Sequence, residues 1–273
     1  MKDNPLDQNL AQIVATLTTK IYDDLAQKSV RNLGDMLSDI TSAIAFCTLP
    51  FAVIGSKAKE LRMKYAKFLE HTYSKVPEEH QVKPDNAISI PVIQNLLMSF
   101  DKQDIYEMYS NLLASASDNR HKEYVHPTFP FIVSQLGHLD AIILEKLYNE
   151  HHIHFLEFQI TTSDAPFHTI EPFTLIKGFE NDYAAVASSF NNLLRLGIIR
   201  KQPALLGPDN SDNIYAKIYD SPVFDSVRQF KPSYCEPYNI RLEHGTMELI
   251  SGSFMPTIQG SLFLSSCFLN DSK

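Results

Sequence analysis

The sequence predicts an α+β fold in which helices predominate, and three observations carry that expectation. Nine glycines in 273 residues are too few for the many tight turns of a large β-sandwich or for several glycine-rich phosphate loops. Apolar residues recur at intervals of three and four as far as Tyr148, the period of amphipathic helices. Alternation of apolar and polar residues, the period of strands, enters only near Ile153. With 44% hydrophobic and 21% charged residues the chain lies near the globular average, so a sizeable core can form, and neither general disorder nor a coiled-coil rod is expected. Length predicts about two domains. The pattern divides the chain more finely, into an N-terminal helical arm over 1–80, a central helical unit over 81–137 and a winged-helix-like region over 138–273.

The elements follow in order. Leu10, Ile13, Val14, Leu17, Ile21 and Leu25 make one helical stripe, and Val30, Leu33, Met36, Leu37, Ile40 and Ile44 a second, with Gly34 as a bend or close contact. An apolar link from Ala43 to Gly55 leads to a third stripe, Leu61, Tyr65, Phe68, Leu69 and Tyr73, which the prolines and charges of Val76 to Pro84 terminate. In the central unit, Pro91 is placed at the opening of a helix carrying Val92, Ile93, Leu96, Leu97 and Phe100. Asp101 reads as the N-cap of the next, whose face is Ile105, Met108, Tyr109, Leu112, Leu113 and Ala116, ending at Asp118-Asn119. His126-Pro127 reads as the N-cap and first turn of a short helix that buries Phe129, Val133 and Leu136. Asp140 reads as the cap of a helix through Ile143, Leu144, Leu147 and Tyr148.

Beyond residue 150 the texture changes. Ile153 to Ile160 predicts a strand, Thr161 to Pro172 a loop, and Tyr183 to Leu194 a helix closed by a left-handed Gly197. Ile198 to Arg200 reads as a short strand, Pro203 to Asn213 as a loop, Ile214 to Tyr219 as a further strand, and Asn239 to Ile250 as two strands turning at Glu243 to Gly245. Thr257 caps a last helix that places Phe263 and Cys267 one turn apart. A helix ending in L-G-I-I and followed by strands with a turn is the order of a winged-helix unit, here with insertions.

The net charge of −8 and pI near 5.7 exclude a chain that coats nucleic acid by bulk electrostatics. The helix expected at Asn181 to Leu196 contains one base, Arg195, and follows Glu180, so direct reading of a duplex by it is not expected. Cys47, Cys235 and Cys267, odd in number and without a C-x-x-C, fit a reducing cytoplasm, and the mixed charges of Met1 to Asn9 do not make a secretory signal. The apolar link is shorter than the roughly 20 residues a span requires and is broken by Pro50. Lys57, Lys59, Arg62, Lys64 and Lys67, opposed only by Glu60, follow it as a candidate patch for a membrane surface or an anion; a solvated helix face is the alternative.

Motifs for chemistry are sparse. His151, His152 and His154 cluster, but no further ligand stands at zinc spacing. Asp101, Asp104 and Glu107 share a helix face, where acids near a helix start are explained by the macrodipole. Gly55-Ser56-Lys57 ends like a phosphate loop, yet Pro50 stands at the required earlier glycine. Neither G-x-S-x-G nor G-x-G-x-x-G occurs, and Cys47 sits in an apolar run. No catalytic residue, metal ligand or cofactor is assigned.

The runs V-K-P-D-N-A-I-S-I-P-V-I-Q-N-L from Val82, E-M-Y-S-N-L-L-A-S-A-S-D from Glu107, V-H-P-T-F from Val125 and Q-L-G-H-L-D-A-I-I-L-E-K-L from Gln135 resemble the abortive infection alpha (Abi-alpha) family, a bacterial domain family associated by name with defence against phage. Upstream, I-Y-D-D-L-A-Q-K-S-V-R-N-L-G is similar to that family's leading helix, and downstream L-L-R-L-G-I-I and P-T-I-Q-G-S-L-F-L-S-S-C resemble the ends of longer members. The motif positions are Asn111, Leu112, Leu113, Ala114, Ser115, Ala116, His126, Pro127, Thr257, Gly260, Phe263 and Cys267. The resemblance brings no catalytic set, so these enter as structural or interaction positions. Together with the absence of catalytic motifs it implies a non-enzymatic protein of phage defence or a related stress response, working through a protein partner; the cysteines put this protein in the cytoplasm, and the N-terminal helices offer a surface for self-association. The alternatives are a peripheral membrane-surface protein acting through residues 43–67 and a nucleic-acid regulator acting through the winged region.

Overall fold

The computed structural model describes residues 40, 43–45, 56–161, 168–169, 172–203, 214–221 and 246–269. The stripe from Leu10 to Leu25, the link beyond residue 45, the loop over 204–213 and the strand expected over 239–245 lie outside the described residues. Of the second stripe, Ile40 and Ile44 are helical and buried. The chain forms two compact units, one of residues 1–138 with 262–273, the other of residues 139–261.

In the first unit, helix α1 (Ser56–Tyr73) buries Tyr65, Phe68, Leu69 and Tyr73, the stripe its sequence spacing predicts. Helix α2 (Asn86–Leu96) starts five residues before Pro91 rather than at it. The reason is Asp85, whose carboxylate accepts the Ala87 N–H at 2.8 Å and so supplies an N-cap upstream. Pro91 is therefore interior, where it donates no helical hydrogen bond, while the fully buried Val92 and Ile93 anchor the turn around it.

Helix α3 (Gln103–Ala116) has Lys102, not Asp101, at its N-cap position and no side-chain cap bond, because the chain first closes a turn in which Lys102 N–H donates to the Ser99 carbonyl at 3.0 Å. Its buried face is the expected Ile105, Met108, Tyr109, Leu112, Leu113 and Ala116. α1 lies on α3 through the edge-to-face rings of Phe68 and Tyr106, 5.3 Å apart, and a bond of 3.1 Å from Thr72 to Ser110. Helix α4 (Phe129–Val133) begins two residues after His126-Pro127, with Thr128 at the cap position and Pro130 in the first turn. His126 instead closes the approach to it, its Nδ1 accepting the Thr128 N–H at 3.2 Å.

Helix α5 (His138–Glu150) places Asp140 within its first turn rather than at its cap. The carboxylate is buried, and its Oδ2 accepts from Asn192 Nδ2 at 3.1 Å.

The second unit is built on a four-stranded antiparallel sheet of order β2-β1-β4-β3, with β1 (Ile153–Thr161), β2 (His168–Thr169), β3 (Ile199–Pro203) and β4 (Thr246–Pro256). β2 is two residues inside the expected loop, and β4 runs past the expected end at Ile250 because it pairs on both edges, with β1 from Thr161 to Ile153 and with β3 at Ile199 to Pro203. Helix α6 (Tyr183–Arg195) is capped by Asp182, which accepts the Ala185 N–H at 3.1 Å, and ends at Gly197 with φ +70°. Its Phe190 stacks on Phe254 of β4 at 4.1 Å, and Phe155 of β1 packs on the same ring at 4.7 Å.

Helix α7 (Ile214–Tyr219) replaces the strand expected there. I-Y-A-K-I-Y satisfies either period over six residues, and burial decides it: Tyr215 and Ile218, three apart, are both buried. Thr257 opens helix α8 (Ile258–Cys267), accepting the Gly260 N–H at 2.9 Å as its sequence position predicts.

Candidate functional site

Three runs of the central block meet at an open cleft of about 590 Å³ in the first unit. One wall is the extended segment entering α2, with Lys83, Pro84, Asp85 and Asn86; the opposite wall is the turn at Lys122–Tyr124 with Val125 and Pro127; Ile88 and Ala116 close the floor. A β-bridge between Gln81 and Asp118, with Val82 N–H donating to the Ser117 carbonyl at 2.8 Å, ties the first wall to the end of α3. Pro84, Ile88, Ala116 and Val125 are buried, whereas Lys83, Asp85, Asn86, Lys122 and Glu123 are exposed on the rim. Behind the cleft, Asp118 holds Arg120 through a bond of 2.6 Å from Nη2 to Oδ2, and that guanidinium outweighs burial to hold the carboxyl below its ordinary range.

The motif positions of α3 face inward. Leu112, Leu113, Ala114 and Ala116 are buried, and Asn111 and Ser115, one turn apart, reach the last turn of α8: Asn111 Nδ2 donates to the Cys267 carbonyl at 2.8 Å, and Ser115 Oγ to that of Ser266 at 3.1 Å. These are C-terminal carbonyls without partners inside their own helix, so α3 caps α8 from outside. Phe263, fully buried, meets Phe129 edge to face at 5.3 Å. Asn111 Oδ1 also accepts from Lys75 Nζ, which bonds Glu107 at 2.9 Å, and Glu107 in turn accepts from His71 and Gln103. Partial burial raises the Glu107 carboxyl, but hydrogen bonds from His71 and Lys75 and their charges hold it below its ordinary value. Desolvation pushes the buried Cys267 thiol well up.

Thr257 and Gly260 belong to the second unit, where Thr257 Oγ1 also donates to the Gly197 carbonyl at 2.7 Å. A Cβ on Gly260 would stand 1.8 Å from the Ile198 carbonyl oxygen, so only glycine fits. His126 and Pro127 stay exposed, and Pro127 lines the cleft. The acids expected to share one face have separate partners, Asp104 with His138 at 2.7 Å and Glu107 with His71 and Lys75. His152 and His154 stand ring to ring at 4.7 Å, and His154 Nδ1 lies 3.1 Å from the Tyr215 hydroxyl and 3.0 Å from that of Ser253. Among the described residues no three His, Cys, Asp or Glu side chains gather for a metal ion.

In the basic run, Lys64 pairs with Glu60 at 3.5 Å and lies 5.7 Å over the Phe100 ring, Arg62 is half-buried and Lys67 exposed; the side chains of Lys57 and Lys59 lie outside the described residues. Lys83, Asp85, Asn86, Lys122 and Glu123 on the cleft, and His71 and Lys75 beside Glu107, take their places only through the fold. For the first three the signal was at hand in the run V-K-P-D-N, whereas nothing local marks the others.

A family model described as abortive infection alpha matches residues 56–267. The chain belongs to that family. The match includes both walls of the cleft, the α3 motif and the α8 turn that Asn111 and Ser115 cap, so the structural relationships above fall within the Abi-alpha domain itself. Comparison with curated proteins and with solved structures gave no significant match. Among the described residues of this Abi-alpha protein, no helix is long and apolar enough to cross a membrane.

Proposed function

We propose that this Abi-alpha protein serves defence against phage by binding another protein in the cytoplasm, without catalysis of its own. Family membership over residues 56–267 is the observation that carries this reading. The site supports it in kind: Asn111, Ser115 and Thr257 spend their hydrogen bonds inside the scaffold, while the same block leaves a cleft with a buried apolar floor and a charged rim, the anatomy of a protein-binding surface. Plating a broad phage panel on cells with and without the gene tests it. Reduced plaque numbers or earlier death of infected cells is the expected result, and equal plating with equal survival across the panel overturns it.

For residues 139–261 we infer a winged-helix arrangement with insertions. Support comes from β4, last in sequence but central between β1 and β3, and from α6 leading through Gly197 directly into β3. These residues contain nine Lys and Arg against fifteen Asp and Glu, a balance that disfavours contact with phosphates, so a protein partner suits this unit better than a duplex. A low-salt gel shift with duplex DNA is expected to show no retardation. A second reading, action at a membrane surface, is favoured by Met63 and Lys67, both exposed and one turn apart on α1. Flotation with anionic liposomes, salt-sensitive and reduced by K67E, would establish it.

A further inference from the structure

We propose that the cleft between Lys83–Asn86 and Lys122–Pro127 is the partner site, and that its occupant is an extended peptide segment presenting an apolar side chain flanked by charges of both signs. The proposal rests on the protein-binding reading above and names the surface and chemistry that reading needs.

Two observations define the occupant. First, the floor and the base of one wall are apolar and belong to the core: Ile88 and Ala116 below and Val125 beside them are each at least 93% buried, their exposures being 3%, 2% and 7%. At about 590 Å³ the cleft has the size of sites that hold small organic ligands or a few side chains, and an apolar group seated on this floor gains by removing its own surface from water, the floor being already dry. Second, each wall carries one cation and one anion, Lys83 with Asp85 and Lys122 with Glu123. Asp85 is turned to the Ala87 N–H, and Glu123 stands 4.0 Å from Lys122 and is largely exposed. A polyanion would meet a carboxylate on either side, and so would a phosphate group, whereas a mixed-charge peptide finds a complement on both walls. The walls are themselves extended, Gln81 and Asp85 having ψ of 127° and 136° and Val125 a ψ of 113°, which suits a segment lying along them in the same conformation.

The test uses the full chain, a random dodecapeptide display library and the double variant K83E/K122E, whose altered side chains are exposed and whose fold is checked by circular dichroism. Selected peptides are expected to share an apolar anchor between acidic and basic residues, to shift the methyl signals of Ile88, Ala116 and Val125, and to bind K83E/K122E about tenfold more weakly. No enrichment over a blank support overturns the proposal, as does enrichment of peptides that bind both proteins equally. Shifts of the same methyls by inorganic phosphate or an oligonucleotide, but by no peptide, make the cleft an anion site and also overturn it. Phage plating separates the two readings: protection by wild type and K83E/K122E alike removes the cleft and leaves the defence role, while peptide binding without protection does the reverse.

Discussion

Asn111 and Cys267, 156 positions apart in sequence, are joined by one hydrogen bond of 2.8 Å from the Asn111 side-chain amide to the Cys267 carbonyl. That carbonyl ends α8, and the amide's other atom accepts from Lys75. N111L removes donor and acceptor together and leaves a carbonyl and an ammonium short of partners. Such a loss costs about 1–3 kcal/mol, and S115A, which frees the Ser266 carbonyl, about 1 kcal/mol. Urea unfolding measures both; an N111L midpoint equal to wild type would show that the contact does not hold α8.

Gly260 tolerates no side chain. With an Ile198 carbonyl oxygen 1.8 Å from where its Cβ would stand, G260A has to move the start of α8 or the backbone that leads into β3. A loss of about 1–3 kcal/mol or more is expected. G197A is strained for a different reason, its φ of +70° in open space, and should cost only about 1 kcal/mol. Thermal unfolding of the pair should rank them in that order, and the reverse ranking would contradict the close approach.

Acid sensitivity follows from Glu107. Its folded carboxyl lies below the ordinary value of 4.5, so its share of stability is present above that pH and is lost as pH falls through the lower folded value. E107Q should be less stable than wild type near neutrality and show a flatter decline below about pH 4.5. Urea midpoints taken at intervals from pH 7 to pH 3 read this directly, and parallel curves for the two proteins would count against the network.

Cys267 should be chemically silent while the protein is folded. The thiolate is the reactive form, and burial disfavours it. Alkylation by iodoacetamide at pH 8, read by peptide mapping, is expected to spare Cys267 in buffer and modify it fully in denaturant. Ready modification of the native protein would mean that the last turn of α8 opens.

Elements whose signal is local were legible in the sequence. The stripe of α1, the face of α3, β1, the α6 helix with its left-handed Gly197 and the Thr257 cap all stand where spacing and side-chain chemistry put them. Sequence pattern and structure part where two local rules compete or where tertiary contact decides between them. Asp85 supplied a cap upstream and left Pro91 inside α2, Asp140 falls in the first turn of α5 and accepts from Asn192, and the six residues of α7 fitted both periods until burial of Tyr215 and Ile218 chose one.

By itself, then, the sequence determined the helical bias, the stripes that face a core and the runs of residues by which the family is known, because propensity, periodicity and capping act within a few positions of each other. Only the tertiary structure decided that V-K-P-D-N, A-S-A and the K-E-Y-V-H-P turn border one cleft, that Asn111 and Ser115 cap a helix some 150 positions away, and that the basic run of α1 divides between an ion pair, an aromatic ring and solvent. Those pairings depend on which surfaces exclude water together and which orphaned carbonyls a neighbouring helix can reach, and no window of neighbouring residues contains that information.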